Sequence, residues 1–136
     1  MSGRYYLLDT NVASHIIKAS SRQIENRLTR IAESRLAISA ITEAELRYGL
    51  DKMPDPRRLR SLVEDFLGRT RSLPWDTPAA QEYARLRILL ERQCKRMDSE
   101  DLMIAAHALS IDAVLVSQDK VFQRVPNLRL EDWTKA

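Results

Sequence analysis

Short apolar runs alternate with longer helical periods along this chain. Tyr5-Tyr6-Leu7-Leu8, ending at Asp9, and Leu36-Ala37-Ile38-Ser39 read as buried strands. Arg71-Ser72-Leu73 is a weaker third, Ala113-Val114-Leu115-Val116 a fourth, and Leu128-Arg129-Leu130 a late edge strand. Between them, Leu59, Leu62, Val63, Phe66 and Leu67 recur at the spacing of an apolar helical stripe. A longer stripe, Ala79, Tyr83, Leu86, Leu90 and Cys94, predicts a helix capped by Asp76 or Thr77. It also places Cys94 in the core as a small hydrophobe. Leu102 to Leu109 is apolar nearly all round and predicts a helix buried in the middle of the protein. Strands alternating with helices predict an α/β fold, a central parallel sheet flanked by helices. Met53-Pro54-Asp55-Pro56 is the strongest break and reads as a loop between helices. With no repeat or linker, residues 1–136 read as one domain.

Composition narrows the class. The 136 residues are 44% hydrophobic and 30% charged, with 3 Gly and 5 Pro, which excludes a disordered tail, a collagen-like repeat and a disulfide scaffold. One cysteine cannot form an internal disulfide, which fits a reducing compartment. No apolar run approaches the ~18 residues of a membrane span, and Met1 to Asp9 lacks the pattern of a secretion signal. A soluble cytoplasmic protein without membrane contact is expected. The net charge is only +3, from 22 Lys plus Arg against 19 Asp plus Glu. Yet 17 of the 22 basic residues are Arg, whose planar fork grips phosphate.

The acids fall in telling places. Ligands of parallel sheets bind beyond the carboxyl ends of the strands. Asp9 follows the first strand, Asp119 lies three residues past Val116, Glu45 sits one or two turns after the second strand, and Asp101 opens the buried helix. Four such carboxylates at one rim would repel one another unless cations lay between them. A carboxylate cluster without Cys or converging His suits Mg²⁺ or Mn²⁺. Each acid also has a local explanation. Asp9 can cap a helix, Thr42 and Glu45 fit a capping box, and Asp98 or Ser99 can cap the helix that Asp101 opens. Asp119 can be a turn residue. Spacing alone leaves both readings open.

The residues around these acids resemble the PIN-domain ribonucleases, and among them the VapC toxins of bacterial toxin–antitoxin pairs. The resemblance rests on Leu8-Asp9-Thr10-Asn11, on Ser39-Ala40-Ile41-Thr42-Glu43-Ala44-Glu45-Leu46-Arg47-Tyr48-Gly49, on Asp101-Leu102-Met103-Ile104-Ala105-Ala106-His107-Ala108-Leu109, and on the tail from Val125 to Trp133. It spans nearly the whole chain in order. It implies a three-layer α/β/α PIN-like domain and a Mg²⁺- or Mn²⁺-dependent endoribonuclease. The acidic quartet would be Asp9, Glu45, Asp101 and Asp119, with Glu45 rather than Glu43 matching the pattern. Thr10 and Asn11 match loop positions that orient the first acid, and Ser117 stands in the fourth motif where many relatives have Thr. Asp98 occupies a place often held by Gly and reads as a helix cap. A homodimer and a cognate antitoxin that plugs the site are further implications.

His107 lies six residues past Asp101, about 120° round a helix, and His15 lies in the helix after Asp9, so neither fits the site. Setting the quartet aside leaves 15 of the 19 acids against 22 basic residues, a basic surface suited to an RNA substrate. Arg57, Arg58, Arg60, Arg69 and Arg71 cluster around one helix, the first three as candidate RNA contacts, and Arg85, Arg92 and Arg96 are expected to share a face of another. Few aromatics points to structured RNA, such as tRNA, read by shape and phosphate. Two alternatives compete. A haloacid-dehalogenase-type phosphatase needs a second acid two residues past Asp9, where Asn11 stands. A non-catalytic PIN-like binding module would be marked by loss of acids, and all four are present.

Overall fold

The computed structural model describes residues 3–135. Five strands form one parallel sheet: β1 (Tyr6–Leu8), β2 (Leu36–Ser39), β3 (Arg71–Leu73), β4 (Val114–Val116) and β5 (Arg129–Glu131), in the order β3-β2-β1-β4-β5. Six helices accompany them: α1 (Thr10–Lys18), α2 (Arg22–Leu28), α3 (Ala40–Asp51), α4 (Arg57–Arg69), α5 (Thr77–Arg92) and α6 (Ser99–Ser110). Strand parity divides the core in two. Leu7, Ala37 and Leu115 face a cluster with Leu86, Leu90, Leu102 and Phe122. Their neighbours Leu8, Ile38 and Val116 face another with Val12, Ile17, Val63 and Phe66. Helices α5 and α6 therefore cover one face and α1 to α4 the other, a three-layer α/β/α arrangement.

The sheet order sets the site. The chain moves outward from β1 through β2 to β3, then returns to the other side of β1 as β4 and β5. The two directions part between β1 and β4, whose carboxyl ends flank the crevice where such sheets bind ligands. Leu8 pairs with Val116, so Asp9 and Ser117 leave the sheet side by side.

Several sequence expectations need correction. The cap of α3 is Ser39, whose Oγ accepts from the Ile41 amide, so Thr42 lies inside the helix and the Thr42–Glu45 capping box does not form. Thr10 and Asn11 open α1 rather than lying in a loop. Leu62 follows the apolar stripe of α4, yet its side chain is exposed. Cys94 is not a core residue. Helix α5 ends at Arg92, and Cys94 takes a left-handed conformation (φ 56°) while the amides of Cys94 and Lys95 bond back to the carbonyls of Glu91 and Leu90. That hydrogen-bonded reversal ends the helix and turns the thiol to solvent. Arg96 consequently leaves the face shared by Arg85 and Arg92.

The tail is anchored by Trp133. Its indole is fully buried, donates to Glu131 Oε1 (3.0 Å), and meets the Tyr6 ring at 5.5 Å between centroids, with the Arg27 guanidinium over it. Replacing a buried Trp by Ala removes more packing than any other single truncation here. Trp133→Ala is expected to cost about 3–5 kcal/mol and lower the melting temperature by at least ~8 °C. A scanning-calorimetry shift of a degree or two would mean the tail contributes little to the core.

Candidate active site

Each acid of the quartet is delivered by a different element to the carboxyl edge of the sheet. Asp9 is the N-cap of α1, its Oδ1 accepting from the Val12 amide at 2.8 Å. Glu45 lies in the second turn of α3, and Asp101 in the first turn of α6. Asp119 caps the 3-10 helix Lys120–Arg124, its Oδ1 accepting from the Val121 amide at 2.9 Å. The capping role read from the sequence is thus real for Asp9, and Asp119, read there as a turn residue, caps a 3-10 helix. They coexist with convergence, because a cap residue sits where a strand has just ended. All four line one pocket of about 210 Å³, together with Thr10, Asn11 and Glu100.

Supporting contacts orient these groups. Buried Ser117 stands beside Asp9 and favours its ionised carboxylate, and its hydroxyl oxygen accepts from the Asp119 amide at 3.0 Å. One buried serine thus links the acids after β1 and β4. Thr10 Oγ1 lies 3.3 Å from Thr42 Oγ1, which ties α1 to α3. The Val12 amide holds the Asp9 carboxylate, with Ser117 beside it. Glu43 is occupied elsewhere, accepting from Ser72 Oγ (2.6 Å) and Arg47 Nε (2.8 Å), contacts that hold its carboxyl below the usual range. His107 is buried and shares a 2.8 Å hydrogen bond with Ser39 Oγ, joining α6 to the start of α3, and burial pushes its imidazole toward the neutral form. His15 bonds Ser20 instead of the acids.

Electrostatics marks the pocket as deficient in positive charge. Asp9 is 5 % exposed, and burial raises its carboxyl above the ordinary value, with the Asp119 charge adding to the rise. Asp101 is half-buried and raised by burial and by the charges of Asp119, Asp98 and Asp9. Glu100, which sequence reading passed over, is raised mainly by its hydrogen bond to Glu45. Its only local signal was its position beside Asp101. Asp98, at the N-cap of α6 without a side-chain cap bond, lines an outer groove instead of this pocket.

The donor set is all carboxylate and hydroxyl oxygen, which suits a hard divalent cation. Among the described residues no three His, Cys, Asp or Glu side chains are already grouped as ligands of one ion. Mg²⁺, however, keeps several waters and binds through one or two carboxylates, so a pocket of this size lined by separated acids fits it.

The raised Asp9 pKa carries a sign that can be tested. A folded-state value above the unfolded one means ionisation opposes folding. The penalty is absent below the ordinary carboxylate range and complete above the raised value. Metal-free stability should fall as pH rises through that window. Asn keeps the cap without the charge, so Asp9→Asn should melt a few degrees higher than the parent at pH 8 in chelator, and the difference should vanish toward pH 4. A lower midpoint at pH 8 would mean the ionised carboxylate stabilises the fold.

A family model for the PIN domain matches residues 6–128. The chain belongs to the PIN-domain family. Within it, the chain is 37% identical over 129 residues to Ribonuclease VapC2 of Haemophilus influenzae, covering 94% of this chain and 97% of that protein. It is 38% identical to the tRNA(fMet)-specific endonuclease VapC of Salmonella typhimurium, over the same shares. The crystal structure of DNA-bound VapBC from Salmonella typhimurium superposes with a TM-score of 0.90 at 37% identity, covering 96% of this chain and 99% of that one. The acid pocket thus lies in a PIN domain aligned with these relatives along nearly its whole length. No described helix is long and apolar enough to cross a membrane.

Proposed function

We propose that this PIN-domain chain is a VapC-type toxin, a divalent-metal-dependent endoribonuclease that acts in the cytoplasm. The observation that carries this reading is the convergence of Asp9, Glu45, Asp101 and Asp119 on one pocket at the β1/β4 switch point. Held there, Mg²⁺ or Mn²⁺ would polarise a phosphoryl oxygen and acidify a water for in-line attack on phosphorus. The chain's own part is to hold that charge. Asp9, Asp101 and Asp119 would be the main ligands, Glu45 would ligate directly or through water, and Ser117 would help orient Asp9. Asn11, exposed at the pocket wall, would help orient Asp9. No protein nucleophile is required.

The substrate is RNA, with structured RNA such as tRNA favoured by the named specificity of the Salmonella relative and by the scarcity of exposed aromatics. Arg57, Arg58 and Arg60 remain candidate phosphate contacts at the start of α4. Arg57 forks onto Asp55 and Arg60 lies 4.0 Å from Asp51, so Arg58 is the least committed of the three. The resemblance to VapC toxins supports a cognate antitoxin as partner and a homodimer as the working form. The test is cleavage of total RNA by purified protein with Mg²⁺, with Mn²⁺ and with chelator, beside a generic phosphomonoester. Cleavage of RNA only with metal is the expected result. Cutting that persists in chelator overturns the metal reading, and turnover of the monoester instead favours a phosphatase.

A further inference from the structure

An open groove of about 550 Å³ adjoins the acid pocket and shares Asp101 and Asp119 with it. Its walls come from the connection between α5 and α6 and from the 3-10 helix that Asp119 begins, and each contributes one arginine, Arg96 and Arg124. The two segments are tied together: Arg124 Nη1 donates to the Arg96 main-chain carbonyl at 2.5 Å. Both side chains are exposed. We propose that Arg96 and Arg124 bind the RNA backbone next to the scissile phosphodiester, so that this groove holds the adjoining nucleotide. The inference rests on the nuclease reading and assigns the path of its substrate.

Size supports this division of labour. The acid pocket, at about 210 Å³, is smaller than the ~300–1,000 Å³ typical of sites that enclose a small molecule. It accommodates a phosphate and its cation rather than a nucleotide. The groove is within that range, and Met97 and Val121 give it an apolar floor for ribose or base.

Charge supports it as well. Arg4, Arg27, Arg47, Arg57, Arg60, Arg69, Arg85, Arg87 and Arg129 all lie within ion-pair distance of carboxylates. Among the described residues eight arginines form no such pair, and of these Arg96 and Arg124 line the groove that holds Asp98, Asp101 and Asp119. Acids shared with the metal pocket and guanidiniums free of carboxylate partners in one groove match a polyanion that passes from a cation to basic side chains. An Arg fork grips phosphate oxygens in two places.

Arg96→Gln is the decisive variant. The tie to Arg124 uses the Arg96 backbone, so this change leaves it intact. Arg124→Gln and the double variant complete the set, and Arg96→Lys restores charge without the fork. Steady-state cleavage of RNA should show KM raised several-fold by each single change, kcat at saturation within about twofold of the parent, and partial rescue by Lys. RNA binding on the Asp9→Asn background should lose somewhat under ~1 unit of salt slope per arginine removed. Unchanged KM and salt slope for Arg96→Gln overturn the inference, as does a loss of kcat that tracks a lowered melting temperature. So does an altered sedimentation of the protein with RNA binding intact, which would make this groove a protein interface. Failure of the parent itself to cut RNA in either metal would instead count against the nuclease reading, with the salt-titrated binding still deciding the groove.

Discussion

Asp9→Asn and Asp101→Asn are each expected to reduce RNA cleavage at least ~100-fold while leaving the fold intact. Loss of a residue that merely supports a metal ligand typically costs 10–100-fold in affinity or activity, and these two are the proposed ligands themselves. The structure explains why folding should survive. Asn at position 9 can still accept from the Val12 amide. At position 101 the half-buried carboxyl carries no hydrogen bond to another element among the described residues and is under like-charge repulsion, which the amide relieves. Circular dichroism and melting curves beside the cleavage assay separate loss of chemistry from loss of structure. Cleavage by either variant at the parent rate in Mn²⁺ would remove that residue from the site. Asp119→Asn should fall in the same direction, with its cap to the Val121 amide retained.

Growth provides the second large effect. Expressed alone in bacteria, the chain should arrest growth by halting translation, and co-expression of a gene product encoded beside it should relieve the arrest. A partner that places a basic side chain among these acids would compete with the metal for the same charge deficit. The Asp9→Asn protein, equally abundant and soluble, should be harmless. Normal growth with the parent accumulating in soluble form would count against the toxin role while leaving the nuclease assay to stand or fall separately. Arrest by the Asp9→Asn protein would mean that toxicity does not come from this site.

Much of the sheet was legible from the chain alone. β2 fills its short apolar run and β3 the weaker Arg71-Ser72-Leu73 segment, β1 and β4 lose only their first residue, and β5 shifts by one. Parallel strands buried on both faces read as continuous apolar runs, and that signal is local. Helix ends were less legible. The α5 stripe continues in sequence to Cys94, but the backbone reverses after Arg92 and removes Cys94 and Arg96 from the helix. Ser/Thr three residues before Glu marks a capping box, so the linear pattern offers Thr42 as a cap for α3. Ser39, at the very end of β2, takes the cap instead and spends its hydroxyl on both Ile41 and His107. Nothing in a linear pattern distinguishes two such candidates, because the choice depends on which one the strand delivers to the helix start.

The acidic site divides along the same line. Sequence by itself determined which carboxylates stand at strand exits and helix starts, since strand length and helix phase are set by neighbouring side chains. Only the tertiary structure decided that β1 and β4 lie adjacent, so that Asp9 and Ser117 emerge together and Asp119 joins them. It also brought Glu100 against Glu45, from positions 55 residues apart in the chain. Burial, and with it the upward pressure on Asp9 and Asp101, arises when layers from both faces of the sheet close over one edge. That closure is a property of packing across the whole chain, and no local run of residues encodes it.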